Sequence, residues 1–400
     1  MTSYCSWIRG DKNDLTIQRL AIAVDALENG RFKEAVTILE ELVETTADDP
    51  DILMYLGIAY VQNEQPEDAL DILEKAKDLV EDHCVLYLFL GRAQKAVGHL
   101  EDAEHTLRKA IELDSLQPEA WEDLAGVLYA RGKYAESIAC IEDALVYFPE
   151  AISLRALNAM AYNRLGDRTG ALCEWEYIHE LAPDSKMGLI NYAYTLLMLQ
   201  KPQDAAPFVR KAIEVAPSDH KSWVLSTELA MQQEKYNLAF DNVQKALELN
   251  SKCTHVLGRY TVIKNELGMS DYSETLAEFE KQIADQSQRW RGLYYVYKHL
   301  GMTDEAIKSL QDGTKEDCDA AAPWIALAHE YAQMGMDEES LEAWKVSIRL
   351  RNYIKVHCDA CDKDMRIPAK TSGGKIRIPD IIKCNGCGEH IPLPQGLSCF

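Results

Sequence analysis

Four cysteines near the C-terminus form the most chemically specific pattern in the chain. Cys358 and Cys361 make one Cys-x-x-Cys pair, Cys384 and Cys387 make a second, and 22 residues separate the pairs. Each pair offers two thiolates from one tight turn, and two pairs complete the four-sulfur shell that structural Zn²⁺ prefers. A pair of redox disulfides and an iron site are alternatives for the same ligands. We predict one structural zinc ion, with no coordination position open for a substrate.

The residues around the cysteines predict short strands that would position them. Arg366-Ile367-Pro368 follows the first pair and Ile391-Pro392 follows the second. Gly373-Gly374 favours a hairpin turn, and residues 375–378 alternate between polar and apolar, as in a half-buried strand. This arrangement resembles the short zinc ribbons of bacteria and archaea.

Small residues recur with a period of 34 along the rest of the chain. One series is Gly57, Gly91, Ala125, Ala159 and Ala193, and a second is Ala69, Ala103, Ser137, Ala171, Ala205 and Ala239. A small side chain at a fixed position lets a partner helix approach closely, and a period of this length is typical of stacked helical repeats. The sequence therefore predicts a series of helix-turn-helix units.

One unit shows the pattern in full. The residues that fit a helix, a glycine turn, a second helix and a proline stop are Trp121, Leu124, Ala125, Leu128, Gly132, Tyr134, Ser137, Ile141, Ala144 and Pro149. This pattern resembles the tetratricopeptide repeat (TPR) family. The resemblance implies an all-α, right-handed superhelical solenoid of about ten repeats, followed here by a small β zinc ribbon.

We place the starts of the units by counting in steps of 34. They are Thr16, Pro50, Cys84, Pro118, Ile152, Lys186, His220, Thr254, Ser287 and Ala321. The eighth and ninth units are degenerate, because Lys264 stands at an apolar position and the step there shortens by one. A bend or a specialised contact, or drift under weak constraint, would explain this departure.

The predicted domain organisation follows from these two patterns. Residues 1–15 form an N-terminal segment, 16–354 the repeat array, 355–395 the ribbon and 396–400 a tail. We expect the ribbon to dock on the end of the array, because a terminal repeat needs its outer face covered.

Charge is distributed unevenly between the two parts. The chain carries a net charge of −23, while the residues from Lys355 onward carry seven basic and five acidic side chains, so residues 1–354 carry −25. An acidic array repels phosphate backbones, which makes nucleic acid an unlikely partner of the repeats.

No catalytic residue is predicted, because the chain has neither a Gly-rich phosphate loop nor a Gly-x-Ser-x-Gly elbow. No stretch reaches the roughly 18 consecutive apolar residues of a membrane span, and the first fifteen residues lack the order of a signal peptide. The remaining seven cysteines are scattered, which does not suggest a disulfide framework. We therefore expect a soluble, cytoplasmic protein.

The resemblance also implies a binding groove. In TPR proteins the first helix of each pair lines the concave surface, and we apply those positions to this chain. The predicted groove residues are Met54, Tyr55, Ile58, Leu88, Phe89, Tyr129, Met160, Asn163, Ile190, Asn191, Tyr194, Leu197, Met198, Val224 and Met231. This wall is unusually apolar, which predicts an apolar helix or peptide segment of another protein, or of a second copy, as its occupant. Alternatively, these side chains complete the packing between helices.

The family's carboxylate-clamp groove uses Lys, Arg and Asn side chains. Arg92, Asn163, Arg164 and Asn191 do not reproduce its order, so binding of chaperone C-terminal tails is not supported. The best interpretation is a non-enzymatic intracellular adaptor, with the ribbon as its cap. A nucleic-acid-linked regulator acting through the ribbon, a redox protein using its cysteines, and an accessory subunit of an enzyme or envelope-biogenesis complex are the alternatives.

Helical repeats followed by a two-knuckle cysteine module are also similar in architecture to lipopolysaccharide assembly protein B, a bacterial adaptor. That family has an N-terminal membrane anchor and a much shorter gap between its cysteine pairs, and neither is expected here. The similarity is therefore one of architecture alone.

Overall fold

The computed structural model describes residues 14–79, 82–165, 167–286, 288–316, 321–351, 353–358, 360, 363–372, 375–377, 382–384 and 387–391. Within these ranges the chain forms twenty α-helices. They are α1 (Asp14–Glu28), α2 (Phe32–Thr45), α3 (Pro50–Gln62), α4 (Pro66–Leu79), α5 (Cys84–Ala96), α6 (Leu100–Leu113), α7 (Pro118–Ala130), α8 (Tyr134–Tyr147), α9 (Ile152–Leu165), α10 (Arg168–Leu181), α11 (Lys186–Met198), α12 (Pro202–Val215), α13 (His220–Gln232), α14 (Tyr236–Leu249), α15 (Thr254–Glu266), α16 (Tyr272–Ile283), α17 (Arg289–His299), α18 (Thr303–Glu316), α19 (Ala321–Gln333) and α20 (Asp337–Arg351).

The helices form ten successive pairs, and we call the first of each pair the A helix and the second the B helix. The predicted all-α repeat fold is confirmed. Eight of the ten A helices begin at the residue predicted from the period. The first begins at Asp14 instead of Thr16, and the ninth at Arg289, because the predicted start Ser287 lies outside the described residues.

Local signals explain several of these boundaries. The Asp49 side chain accepts hydrogen bonds from the backbone N–H groups of Asp51 and Ile52, and Pro50 supplies a first helical residue that needs no hydrogen bond. Pro66, Pro118 and Pro202 also stand at the first position of their helices. The starts of these helices are therefore marked by local sequence signals.

The predicted small residues lie at the centres of the pairs. Ala69, Ala103, Ser137, Ala171, Ala205 and Ala239 are all fully buried. At the buried serine, the hydroxyl donates to the carbonyl of Ala125 on the paired helix, at 2.9 Å. These positions let A and B helices pack closely, which is the role that the period predicts.

The chain divides into two compact units, Met1–Gly188 and Leu189–Phe400. In the first unit, one apolar core runs through the helix pairs from Leu20 to Leu154. In the second, smaller cores follow one another, one of them around Val243 and the next around Phe279. Each unit is thus held by contacts between neighbouring pairs, as expected for a repeat fold.

Lys264 is buried in the degenerate eighth pair, where we expected an apolar residue. Its ammonium group donates to Asp271 Oδ2 at 2.7 Å and to Thr275 Oγ1 at 2.9 Å, and lies 4.6 Å from the centre of the Tyr260 ring. Burial disfavours the charge, but the hydrogen bond and charge of Asp271 outweigh it and raise the pKa of Lys264. The lysine is therefore a satisfied structural residue at this position.

Among the residues described after α20, six short strands are present. They are β1 (Tyr353–Cys358), β2 (Lys363–Pro368), β3 (Lys370–Ser372), β4 (Lys375–Arg377), β5 (Ile382–Lys383) and β6 (His390–Ile391). They pair as three antiparallel hairpins, β1 with β2, β3 with β4 and β5 with β6. The predicted Gly373-Gly374 turn lies outside the described residues, while Ser372 and Lys375 on either side of it face each other in the ladder.

The hairpins share a small core with the last helix. Ile354 and Val356 of β1 and Met365 of β2 are buried together with Ile348 of α20. Trp344 of α20 packs against the same cluster. The strands therefore lie against the final repeat helix and cover part of it.

Among the described residues, no helix is both long enough and apolar enough to cross a bilayer.

Candidate functional site

The predicted groove residues of the second and third repeats lie inside the core. Met54, Tyr55 and Ile58 on α3 are between 1% and 4% exposed, and Leu88 and Phe89 on α5 are 5% and 3% exposed. They pack in the continuous core of the first unit. A partner cannot reach these side chains in this conformation, so here the alternative of helix packing applies.

Leu197 on α11 is likewise fully buried. It lies on the same helix as Tyr194 but faces the interior. A substitution of Leu197 would therefore disturb folding before it reported on binding. The hypothesis of partner contact narrows to the accessible members of the predicted set.

Met160 and Tyr194 are the most accessible of these, with 43% and 45% of each residue exposed. Both occupy the ninth position of an A helix and lie 34 residues apart in the sequence. The other accessible members are half-buried: Tyr129, Asn163, Ile190, Asn191, Met198, Val224 and Met231.

In the first unit, an aromatic and cationic cluster lies on the helices beside Met160. The rings of Tyr129 and Tyr134 meet edge to face, with centroids 5.2 Å apart. Arg164 donates from Nε and Nη2 to the Tyr134 hydroxyl, at 3.1 and 3.0 Å. Burial raises the pKa of Tyr129, so its hydroxyl stays protonated at neutral pH. Because Met160 and Arg164 are four residues apart, they share one face of α9.

Arg92 is the second cationic residue that the family positions indicated. Its Nε donates to Asp123 Oδ2 at 2.5 Å, and Lys95 Nζ lies 3.1 Å from Asp123 Oδ1. Asp123 thus joins α5 to α7 and balances positive charge on this surface. The Arg92 guanidinium is therefore already paired with a carboxylate of the chain itself.

In the second unit, the accessible residues come from α11 and α13. Tyr194 and Met198 are four residues apart on α11 and share a face, and Val224 and Met231 lie two turns apart on α13. Gln232 Nε2 donates to the Leu197 carbonyl at 3.1 Å, which ties the end of α13 to α11. We call Tyr194, Met198, Val224 and Met231 the Tyr194 surface.

Two of the predicted zinc ligands stand at strand ends. Cys358 ends β1, and Cys384 directly follows β5. Cys384 is 3% exposed and belongs to the core shared with α20, whereas Cys387 is exposed. The Cys384 N–H donates to the Glu389 carbonyl at 2.8 Å, and the Gly388 N–H donates to the Cys384 carbonyl at 2.9 Å. This tight turn needs glycine at position 388, where φ is +79°.

The complete four-cysteine set is not described. Cys361 and the side chain of Cys358 lie outside the described part of the chain, so the four-sulfur site stays a prediction. Within the described residues, no three or more His, Cys, Asp or Glu side chains are grouped to hold a metal ion. β1 does lie against β6, which brings the two cysteine-bearing hairpins together.

The second unit contains a cavity that the sequence patterns did not predict. It lies between α15, α16 and α17 and is lined by Arg259, Arg289 and Arg291, among other residues. The shortened step between the eighth and ninth units was its signal in the sequence. The shortened period indicates that helix packing changes there. It does not indicate that a cavity opens between the helices.

Comparisons with known proteins agree with the repeat architecture. Models of the tetratricopeptide repeat family match residues 26–88, 90–152 and 127–186. The predicted tetratricopeptide repeats are thus confirmed in this part of the chain. None of the curated proteins matches the chain.

Many solved structures have a similar fold. The C-terminal part of a TPR repeat-containing protein from Cytophaga hutchinsonii is 15% identical, with a TM-score of 0.50, over 60% of this chain and 98% of that one. MamA is 22% identical, with a TM-score of 0.38, over 43% of this chain and 95% of that one. YrrB, described as a TPR protein with an unusual peptide-binding site, is 20% identical, with a TM-score of 0.39, over 44% and 90%.

At these identities the likeness concerns the fold alone. Of these three structures, the Cytophaga one has a TM-score high enough to support it. The matches presented here do not show a zinc ribbon or a relationship to lipopolysaccharide assembly protein B. Tetratricopeptide repeats are therefore matched between residues 26 and 186, and helix pairs of the same kind continue to α20, where β-hairpins pack on the last helix.

Proposed function

We propose that the chain is a non-enzymatic scaffold that binds an apolar helix or peptide segment of a partner protein on the Tyr194 surface. The observation that carries this proposal is the exposure of large apolar side chains on A helices. Tyr194 is 45% exposed, whereas Ile58, at the same position of the second repeat, is 1% exposed. In the first unit, Met160 at the same helix position is 43% exposed.

The physical case rests on the chemistry of these side chains. Met198 and Met231 are flexible and polarisable, so they can adapt to partner side chains of different shape. Tyr194 offers a rigid aromatic face that can be buried at low entropic cost. Burying a Leu- or Phe-sized partner residue contributes about 1.5 to 3 kcal/mol, so three or four such contacts would support micromolar binding after the segment is ordered.

The β-hairpins have a structural role in this proposal. We infer that Cys358, Cys361, Cys384 and Cys387 bind one Zn²⁺, which holds the hairpins together against α20. The tight turn after Cys384 and the contact between β1 and β6 support this inference. Bound zinc would supply a cross-link in a region with a small apolar core, and no open position for catalysis.

We also propose that the chain acts in the cytoplasm. A cytoplasmic location fits free cysteine side chains such as Cys140, which is buried within α8 with its thiol pKa raised to about 12 by burial. A partner could be another protein or a second copy of this chain. Both would use the same apolar contacts.

Substitution of Tyr194 tests the proposal. We expect Tyr194→Lys to remove a partner that co-purifies with the full-length chain from lysate of its source, because a lysine charge would be desolvated at the contact. Leu238→Lys is the matched control, since Leu238 is 49% exposed on the B helix α14. The melting temperature of each purified variant should equal that of the wild type, which shows that folding is unchanged. Sedimentation of each variant shows whether the partner is a second copy of the chain. Equal partner recovery with Tyr194→Lys and wild type, both folded, would contradict the proposal.

A further inference from the structure

A cavity of about 350 Å³ opens between α15, α16 and α17 in the second unit. One side of it is apolar, with Ile283 of α16 (5% exposed) in front of Phe279 of α16 and Val296 of α17, which are buried at 1% and 0% exposed. The other side carries polar and cationic groups. Its volume lies at the small end of the range typical of ligand sites. It shares no residue with the Tyr194 surface.

A local change in repeat packing creates this cavity. α16 has 12 residues and α17 has 11, which is shorter than the other B and A helices. α17 packs more extensively against α15 than against the preceding B helix α16, whereas α15 and α19 each pack extensively against the B helix that precedes them, α14 and α18. The ends of α16 and α17 are therefore separated, and the cavity lies in the gap.

The apolar wall is closely packed behind its surface. A Cβ added to Gly292 would lie 2.5 Å from Ile283 Cδ1, and one added to Gly258 would lie 3.0 Å from Val296 Cγ2. The two glycines let α15 and α17 approach α16 where the three helices meet.

The cationic side stands out in a chain of net charge −23. Arg259, Arg289 and Arg291 line the cavity, and none of the described lining residues is acidic. Such a concentration of one sign inside a concave site raises the local concentration of anions.

Arg259 is the most firmly held of the three arginines. It is 8% exposed, and its Nη2 and Nε donate to Glu228 Oε2 at 2.8 and 2.9 Å from outside the cavity. Its guanidinium also lies 5.0 Å from the centre of the Tyr295 ring. These contacts fix its orientation and leave N–H groups toward the cavity, since guanidinium has five.

His255 completes this wall. Burial and the neighbouring arginine charge lower the pKa of His255 to about 4, so the ring is neutral at pH 7. Its Nε2 lies 2.5 Å from Arg259 Nη1, which fits a neutral imidazole that accepts the bond and carries its proton on Nδ1. The ring is nevertheless open to the cavity. It adds a polar group without adding charge.

The other two arginines lie at the start of α17. Arg289 donates from Nε to Glu316 Oε1 at 3.0 Å and from Nη1 to the Ala284 carbonyl at 3.1 Å. Arg291 lies over the Trp290 ring, 5.2 Å from its centre. Across the described residues, Arg291 makes no ion pair with a carboxylate. It therefore provides an unbalanced positive charge at the cavity.

We propose that this cavity binds a small organic carboxylate that carries an aromatic or branched aliphatic group. The carboxylate would pair with Arg291 and take N–H donors from Arg259 and Arg289, because guanidinium groups match carboxylates in geometry. The apolar group would pack against Ile283, behind which Phe279 and Val296 are buried. A free carboxylic acid and the C-terminal residue of a peptide share this chemistry.

Titration of the full-length chain with matched acids and amides tests the chemistry. The probes are 3-phenylpropionate and 4-methylpentanoate, their uncharged amides, and N-acetyl-Gly-Phe with a free or amidated C-terminus. We expect each carboxylate that binds to bind at least about tenfold more tightly than its amide, since one charge-assisted hydrogen bond is worth a factor of this size. Isothermal calorimetry measures the affinities. If a free acid binds more tightly than the peptide, the ligand is a small carboxylic acid, and the reverse order identifies a peptide C-terminus.

Substitution of Arg291 tests the location. Arg291→Gln should weaken the tightest carboxylate at least about tenfold and leave the amide unchanged. Arg210→Gln is the matched control, because Arg210 is an exposed arginine on α12 outside the cavity lining and its loss changes the net charge equally. Both variants alter exposed residues and should keep the wild-type melting temperature. Absence of binding by every probe, equal affinity for acids and amides, or an equal effect of the two substitutions would overturn the proposal.

Discussion

At the scale of single residues, the repeat depends on side chains that are small because a neighbour is close. Gly57 and Gly91 occupy the same position in α3 and α5, and a Cβ there would lie 2.4 and 2.6 Å from the leucine on the paired helix. Gly126, on α7, has more space, since the nearest atom to its added Cβ is Lys95 Nζ at 3.4 Å. Gly91 and Gly126 both lie inside A helices, but only Gly91 is closely packed against a side chain of the paired helix.

This difference gives a test with a built-in control. We expect Gly91→Ala to lower the free energy of unfolding by about 1 to 2 kcal/mol, because overpacking against Leu107 outweighs the better helix propensity of alanine. Gly126→Ala should raise it by up to about 1 kcal/mol, because propensity acts there without a clash. Urea unfolding followed by circular dichroism measures both. Changes of the same sign in the two variants would show that close packing does not decide the residue at position 91.

At the scale of elements, the hairpins have too small an apolar core to be stable alone. Their buried side chains, such as Val356 and Ile382, form one cluster with Ile348 of α20. Short hairpins of this kind need a further cross-link or a packing partner. The helix supplies packing, and the four cysteines offer the ligands for a metal cross-link.

Metal analysis tests that proposal. We expect about one zinc per chain, since four thiolates around Zn²⁺ give an apparent binding free energy of about 10 to 16 kcal/mol at neutral pH. Cys384→Ser should lose the zinc and change the fluorescence of Trp344, which packs against the hairpins, while most helical signal remains. Cys173→Ser is the control, because Cys173 is an exposed cysteine on α10. A folded wild-type protein without zinc, or full zinc content in Cys384→Ser, would refute the zinc proposal.

At the scale of the whole molecule, much of the fold could be predicted because the period records packing directly. A small residue every 34 positions marks where paired helices touch, and this located Pro50, Cys84 and six other helix starts correctly. The same pattern says little about the ends of the array. At those places the first helix begins two residues earlier than predicted and strands replace repeats.

The candidate site was predicted less completely. Family positions identified Tyr194 and Met160, but they also included Tyr55 and Phe89, which are buried. Position in a repeat indicates which way a side chain faces, whereas its accessibility depends on what the rest of the chain packs against it. The cavity was missed for a related reason, because its opening depends on the weak packing between α16 and α17.

The charge of the whole molecule sets the kind of partner that the scaffold can meet. With −25 on residues 1–354, long-range forces favour basic or neutral segments and oppose nucleic acid. Apolar contacts on the Tyr194 surface would then hold a partner that charge has attracted. Selectivity would come from the side chains of α11 and α13.

The most direct measurement of the central claim is site-specific photo-cross-linking. A benzophenone amino acid replaces Tyr194 in the full-length chain, expressed in its source cells, and a second version carries it at Leu238. We predict that position 194 cross-links strongly to a defined protein, or to a second copy of the chain, and that Met231→Lys removes this product. Cross-linking of equal strength at position 238, or none at position 194, would contradict the scaffold account.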